Sequence, residues 1–251
     1  MSPLSRSSAR RSSGSGRRRA PATAAAVRVL ELDRELGSTL EPESRALAQA
    51  RSQALVLGLA RGAWEPPIWP EGVRRGIGLL LLEGLIRRRI EIGRRTSAEL
   101  LAAGDLLRPW QSEDAAASLP LRPAWDVLEH SRLAVLDLEF ARRLSPFPEI
   151  QGELVERALR RSRHLAANAA IVHQPRVEAR VQMILWQLAD RFGSVRADGV
   201  LLPLRLTHML LAELVAARRP TVSVAIAALE RSGELSRPAD GGWLLHGTPA
   251  G

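Results

Sequence analysis

Residues 206–245 constrain the fold of this chain more tightly than any other stretch. Leu206-Thr207-His208-Met209-Leu210-Leu211-Ala212-Glu213-Leu214-Val215 reads as a short helix with Thr207 at its N-cap. Ala216-Ala217 make a small-residue turn, and Arg218 and Arg219 lead to Pro220, a residue favoured at the first helical position. The helix predicted from Pro220 runs to about Ser232, carries Val222, Ile226 and Leu229 on one face, and stops at Gly233. Leu235-Ser236-Arg237 and Trp243-Leu244-Leu245 then flank Asp240-Gly241-Gly242, which is a hairpin signal. An earlier hairpin signal, Asp198-Gly199, lies between Val195-Arg196 and Val200-Leu201-Leu202.

Helix, tight turn, helix and hairpin in this order make a winged helix-turn-helix. Leu210, Leu211 and Leu214 of the first helix are expected to pack on Val222, Ile226 and Leu229 of the second. The second helix then keeps Ser223, Val224, Ala227 and Arg231 on its free side, with Arg218, Arg219 and Thr221 at its N-terminal end. Adjacent cations at a helix start suit DNA phosphates and base edges. The alternative is a scaffold or protein-interaction module whose winged helix no longer binds DNA. The Arg218-Arg219 pair argues against it, because a protein-binding relic has no need of cations there.

Upstream, residues 22–50 read as helical, with Val27, Leu30 and Arg34 at helical spacing, a break at Gly37-Ser38 and a restart near Pro42. The segment from Trp64 to Pro70 contains three prolines and cannot be helix. Short apolar runs from Val73 to about Leu138, broken by Gly, Pro and Asp, read as strands of a compact β domain. From Pro148 to about His173 a helix of about 25 residues is expected. Its Ile150, Leu154, Leu165, Ile171 and Val172 form a candidate dimer seam. Pro175 ends it, and a further helix carries Val177, Val181, Ile184, Leu185, Leu188 and Phe192 on one face up to Gly193. The expected divisions are 1–22, a disordered basic tail; 23–145, a β-rich domain; 146–174, the long helix; and 175–251, the winged helix-turn-helix.

Charge supports a polyanionic partner less than its total suggests. All 36 basic residues are Arg, and with 27 acids the net charge is +9. Six of those charges sit on Arg6, Arg10, Arg11, Arg17, Arg18 and Arg19, so the remainder of the chain is only mildly basic. That Ser/Gly/Arg-rich stretch reads as a basic arm on nucleic-acid backbone or as a solvated tail. No apolar run is long enough to span a bilayer, so no membrane association is expected. No nucleophile elbow, metal-ligand cluster or phosphate-cradling loop is present, so the chain is not expected to be an enzyme.

The whole order resembles the bacterial Crp-Fnr regulators, the family of the cyclic AMP receptor protein. The likeness is densest over residues 206–223, which align without gaps to the family's helix-turn-helix, where a Thr starts the first helix and Arg-x-Thr-Val opens the recognition helix. Arg176-Val177-Glu178-Ala179-Arg180 and Leu185 to Gly193 resemble the segment leading into the DNA domain. Leu82-Glu83-Gly84, Ala102 to Leu107 and Arg132 to Leu136 carry a weaker likeness, and coverage is about residues 50–247. The resemblance implies an α+β fold with an N-terminal cyclic-nucleotide-binding-like β-roll, a long dimerisation helix and a C-terminal winged helix-turn-helix. It implies a cytoplasmic, homodimeric transcription regulator with double-stranded DNA and RNA polymerase as partners.

Matched to the family pattern, Arg219 is the guanine-reading Arg, and Thr207 and His208 occupy positions that touch phosphate. Arg218, Thr221, Ser223, Val224 and the wing residue Arg237 complete the expected DNA-binding set. Pro220 and Val224 stand where the family has an acidic and a second basic reader, so Val224 and Ala227 are expected to meet thymine methyls instead. In the sensor half, the family's ribose-holding Gly-Glu falls on Arg108-Pro109 and its phosphate-holding Arg-Ser/Thr on Arg122-Pro123. Cyclic AMP is therefore not expected. Arg108 and Arg122 remain as candidate contacts for another small effector, or there is none. The absence of Cys excludes an iron–sulfur cluster, and haem would have to rest on a lone His among His130, His164, His173, His208 and His246. No cofactor is expected.

Overall fold

The computed structural model describes residues 22–93, 95–113, 122–239 and 241–248. The basic tail expected over 1–22 falls outside them except for Ala22. Ala22 opens a strand, β1 (Ala22–Arg28), rather than a helix. The predicted helical spacing of Val27 and Leu30 is instead divided between β1 and a single turn, α1 (Val29–Leu32). Pairing decides this: β1 lies antiparallel on β2 (Gln53–Leu59), a partner about 30 residues away that no local periodicity can announce. A 3-10 turn at Glu35–Gly37 marks the expected break, and α2 (Pro42–Arg51) is the expected restart with Pro42 in its first turn.

Past β3 (Gly62–Trp64), residues 65–70 are irregular, as their prolines require. One turn, α3 (Glu71–Arg74), precedes β4 (Gly78–Ile92), β5 (Arg95–Ala102), β6 (Leu106–Leu107) and β7 (Arg122–Leu136). The two apolar runs read separately at 77–82 and 85–86 are one strand, β4, interrupted by an irregularity at Glu83-Gly84. Gly84 has φ +96, and a Cβ there would collide with the His130 carbonyl oxygen, so only glycine lets β4 and β7 approach. The sheet is antiparallel, in the order β1-β2-β7-β4-β5, with β3 on β7 and β6 on β4. Its consecutive leucines are buried on both faces. Leu79 and Leu81 join Trp110 and Trp125 on one side, while Leu80 joins Val29, Leu36 and Phe140 on the other.

Asp137 caps α4 (Leu138–Arg143) by accepting the Phe140 amide at 2.8 Å. The long helix α5 (Pro148–Val172) has 25 residues, as expected. Its apolar seam needs correction. Leu154 is only 4% exposed and, with Ile150, packs on Phe140, Leu144 and Phe147 of its own chain. The outward stripe is one step round: Gly152, Val155, Leu159, Ser162, Ala166, Ala169 and His173 line a surface that recurs at alternating spacings of three and four. Val155 is 58% and Leu159 50% exposed, and Leu165 lies beside the stripe. The stripe's spacing follows an a/d rhythm.

The helix α6 (Val177–Phe192) ends at Gly193, whose backbone is extended rather than left-handed. β8 (Ser194–Arg196) and β9 (Gly199–Leu202) form a hairpin in which Gly199 pairs with Arg196, so the two-residue loop is Ala197-Asp198, one residue earlier than read from Asp198-Gly199. α7 (His208–Leu214), α8 (Arg219–Arg231), β10 (Leu235–Ser236) and β11 (Trp243–Leu245) complete the chain. β11 pairs with both β10 and β9, giving a second sheet in the order β10-β11-β9-β8. Asp240, in the expected wing turn, lies outside the described residues. Among the described residues no helix is long and apolar enough to cross a membrane.

Candidate nucleic-acid interface

The helix-turn-helix is built as its pattern dictates. Thr207 Oγ1 accepts the Leu210 amide at 3.2 Å and caps α7. Leu210, Leu211 and Leu214 are buried in one cluster with Val222, Ala225, Ile226 and Leu229 of α8. The turn between them is closed by Ala217 N–H donating to the Ala212 carbonyl at 2.9 Å. It forces Ala216 to φ 50, a left-handed conformation that costs a Cβ-bearing residue about 1–2 kcal/mol. Arg219, not Pro220, is the first helical residue, and Arg218 is its N-cap with no side-chain cap bond. Both Arg residues are exposed at the helix start.

The face of α8 opposite the core exposes Arg219, Thr221, Val224, Ala227 and Arg231, and Val224 is 64% exposed. Ser223, expected on this face, is half-buried and engaged. Its Oγ donates to the Arg219 carbonyl at 3.1 Å and lies 2.9 Å from His208 Nδ1. The other imidazole nitrogen, Nε2, lies 2.8 Å from Arg237 Nη2. A guanidinium can only donate, so Nε2 accepts and Nδ1 carries the proton to Ser223. Burial, aided by the charges of Arg237 and Arg219, holds the His208 imidazole below its usual pKa, in keeping with this neutral form. Arg237 also stacks 4.0 Å over the Trp243 ring and pairs with Glu230 at 3.2 Å. Of the eight expected DNA contacts, Ser223 and Arg237 thus each bond His208 and tie the wing to the start of α8, Arg237 staying exposed. Arg218, Arg219, Thr221, Val224 and Thr207 remain exposed.

In the sensor half the candidate effector residue Arg108 is engaged by its own chain. Arg108 Nη2 donates to the Arg74 carbonyl at 2.7 Å, and its guanidinium lies 5.7 Å from the Trp110 ring. Arg122 begins β7 opposite Glu91, and its side chain is outside the described residues. Trp110 and Trp125 are buried among the strands, with Trp64 5.7 Å from Trp125 and Trp69 5.8 Å from Trp110.

Sequence reasoning missed the groups that join the halves. Arg87 of β4 donates to Glu213 of α7 at 2.8 Å and to Asp126 of β7 at 3.0 Å. Arg191 of α6 donates to the buried Asp105 at 2.6 Å, and that same carboxylate oxygen accepts the Ala102 amide at 2.8 Å. Leu85, Ala98, Leu100 and Ala102 of the large sheet share a core with α6, α7 and α8. The only signal for Arg87 was its place in the run Arg87-Arg88-Arg89 within a strand whose only other charges are Glu83 and Glu91.

No sequence-family model matches the chain, and no curated protein sequence does. Solved structures do match. A cyclic nucleotide-binding domain containing protein from Listeria monocytogenes EGD-e aligns with a TM-score of 0.61 at 18% identity, over 85% of this chain and 97% of that one. A CRP-family transcriptional regulator from Thermus thermophilus gives 0.52 at 21% identity, over 76% and 91%. The c-di-GMP responsive global regulator CLP of Xanthomonas campestris gives 0.56 at 16% identity, over 81% and 100%. From the β-rich half through the long helix to the winged helix-turn-helix, the fold of this chain is that of the CRP/FNR regulators.

Proposed function

We propose that the chain is a homodimeric, sequence-specific DNA-binding transcription regulator of the Crp-Fnr family, not an enzyme. In this reading residues 23–145 form the sensor-like half, 146–174 the dimerisation helix and 175–251 the DNA reader. The observation that carries it is the outer face of α8, where Arg218, Arg219, Thr221 and Val224 stand exposed on a packed support. Arg219 then reads a guanine edge, Val224 meets a thymine methyl, and Arg218 and Thr207 hold phosphates. His208, Ser223 and Arg237 position the first turn of α8 rather than contact bases. Two copies meet through Val155, Leu159, Ser162, Ala166 and Ala169, which sets the half-sites about one DNA turn, ~34 Å, apart.

The sensor half is degenerate in this reading, because tryptophans fill the sheet's interior and Arg108 is committed to a backbone carbonyl. Cyclic AMP is not its effector, and RNA polymerase is the further partner. A gel shift on the DNA upstream of its own gene, at two salt concentrations, tests the proposal. Binding that weakens steeply with salt is expected, because each neutralised phosphate releases counterions. Undetectable or salt-independent binding supports the scaffold reading instead.

A further inference from the structure

A cavity of about 790 Å³ opens where the two halves meet, within the range of small-molecule sites. Its walls are the segment 32–35, the Ala102–Asp105 turn, one face of α5 and the end of α6 at Asp190–Phe192. Gly104, at φ +90, presents no side chain there, and the nearest atom to a Cβ would be Arg157 Nη1 at 3.4 Å.

The charges lining this cavity divide into committed and uncommitted groups. Arg157 is held by Asp33 and by Glu153 at 3.0 Å. Arg161 is held by Glu99 at 2.5 Å and by the Leu106 carbonyl at 2.8 Å, and Arg191 by Asp105 at 2.6 Å. Among the described residues Arg34 has no acidic partner, and Arg160 reaches only Glu153, at 4.0 Å, a carboxylate that Arg157 already occupies. Arg34 lines the cavity between Asp33 and Glu35, whose carboxylates both reach Arg157. His164 lies one turn of α5 beyond Arg160, about 6 Å along the helix. Burial and the nearby Arg191 keep its imidazole below the usual pKa, so at neutral pH it offers one donor and one acceptor. Asp190 and Glu129 line the cavity as well, with no cation paired to either among the described residues. Arg34 and Arg160 therefore suit an anionic group, and His164, Asp190 and Glu129 around them accept hydrogen bonds from hydroxyls.

We propose that this cleft binds a small hydroxylated organic anion, its charged end on Arg34 and Arg160 and its hydroxyls toward His164 and Asp190. The site is built from both halves of the chain, and the Asp105–Arg191 pair at its floor crosses between them. An occupant whose hydroxyls meet Asp190 sits beside the Asp105–Arg191 pair and shifts how the winged helix-turn-helix sits on the large sheet. This last consequence rests on the regulator reading; binding itself does not.

Thermal denaturation of the full chain tests the site with ribose 5-phosphate as probe, and with inorganic phosphate and chloride at matched ionic strength. A saturable rise in Tm with ribose 5-phosphate, larger than with either control, is expected. Arg34→Ala with Arg160→Ala, both at exposed positions, abolishes the rise, while Arg108→Ala retains it. No saturable rise, an equal rise with chloride, or a rise that survives in the double variant overturns the proposal. These measurements contain no DNA, so their failure leaves the DNA-binding reading standing, and a failed gel shift leaves the site standing. In Asp105→Asn the probe still binds but no longer alters the gel shift; an unchanged response there overturns the coupling.

Discussion

Substitutions at Thr207 separate the two tasks assigned to one hydroxyl. Its Oγ1 accepts the Leu210 amide at 3.2 Å, yet the side chain is exposed and keeps a proton to donate to a phosphate. Thr207→Ala removes both interactions. Loss of such a cap costs about 1 kcal/mol, roughly a fivefold fall in the folding constant. Thr207→Asp keeps the cap, since Asp is at least as good an acceptor there, but sets a carboxylate against the phosphate. Two like charges about 4 Å apart repel by about 1 kcal/mol in a water-like dielectric. A dimer carries two such sites, so about 2 kcal/mol, or roughly thirtyfold in Kd at low salt, is lost. Urea denaturation and a gel-shift titration read the two effects separately. The Ala variant unfolds at lower urea, whereas the Asp variant unfolds with the wild type but binds DNA much more weakly. An Asp variant that binds as tightly as wild type removes Thr207 from the interface, and an Ala variant of unchanged stability removes the cap.

The other expectations follow from the same geometry. Val155→Arg with Leu159→Arg gives a folded monomer by light scattering, while Leu154→Arg puts a charge into a core site 4% exposed and unfolds the chain. Arg219→Ala relaxes selection at one position of each half-site, a bidentate guanine contact being worth about 1–3 kcal/mol of discrimination. Arg218→Ala weakens all sequences alike and lowers the salt slope by roughly one per subunit; binding-site selection on both variants refutes the assignment if the effects are exchanged. Ala216→Gly relieves the positive φ and raises stability by about 1 kcal/mol in urea, and no gain would mean the turn is unstrained. His208 and His164 both titrate below 6.5 when folded, so the unfolded chain binds more protons. Their contribution is complete above pH 6.5 and is lost as the pH falls below it. His208→Gln should flatten that loss in urea denaturation, and an unchanged pH profile contradicts the neutral-imidazole assignment.

What could be read without coordinates was what neighbouring residues decide among themselves. The cap at Thr207, the turn at Ala216-Ala217, Pro220 in the first turn of α8 and the stop before Gly233 act within one or two helical turns, so α7 and α8 were legible almost to the residue. The length of α5 was legible for the same reason, its limits being set by Pro148 and the approach to Pro175. Which of its faces turns inward was not. Leu154 and Val155 are both apolar, and only the packing of Phe140, Leu144 and Phe147 selects Leu154 for the core. The strand β1 escaped detection because its hydrogen bonds are made to β2 while its alanines by themselves favour helix. His208, Ser223 and Arg237 have the chemistry of DNA contacts, but within bonding distance of one another they satisfy each other first. The cleft depends on Asp105 meeting Arg191 across 86 residues. Contacts of that separation arise only after the chain has closed the intervening loop, so the two halves' arrangement belongs to the tertiary structure while the reader helix belongs to its local sequence.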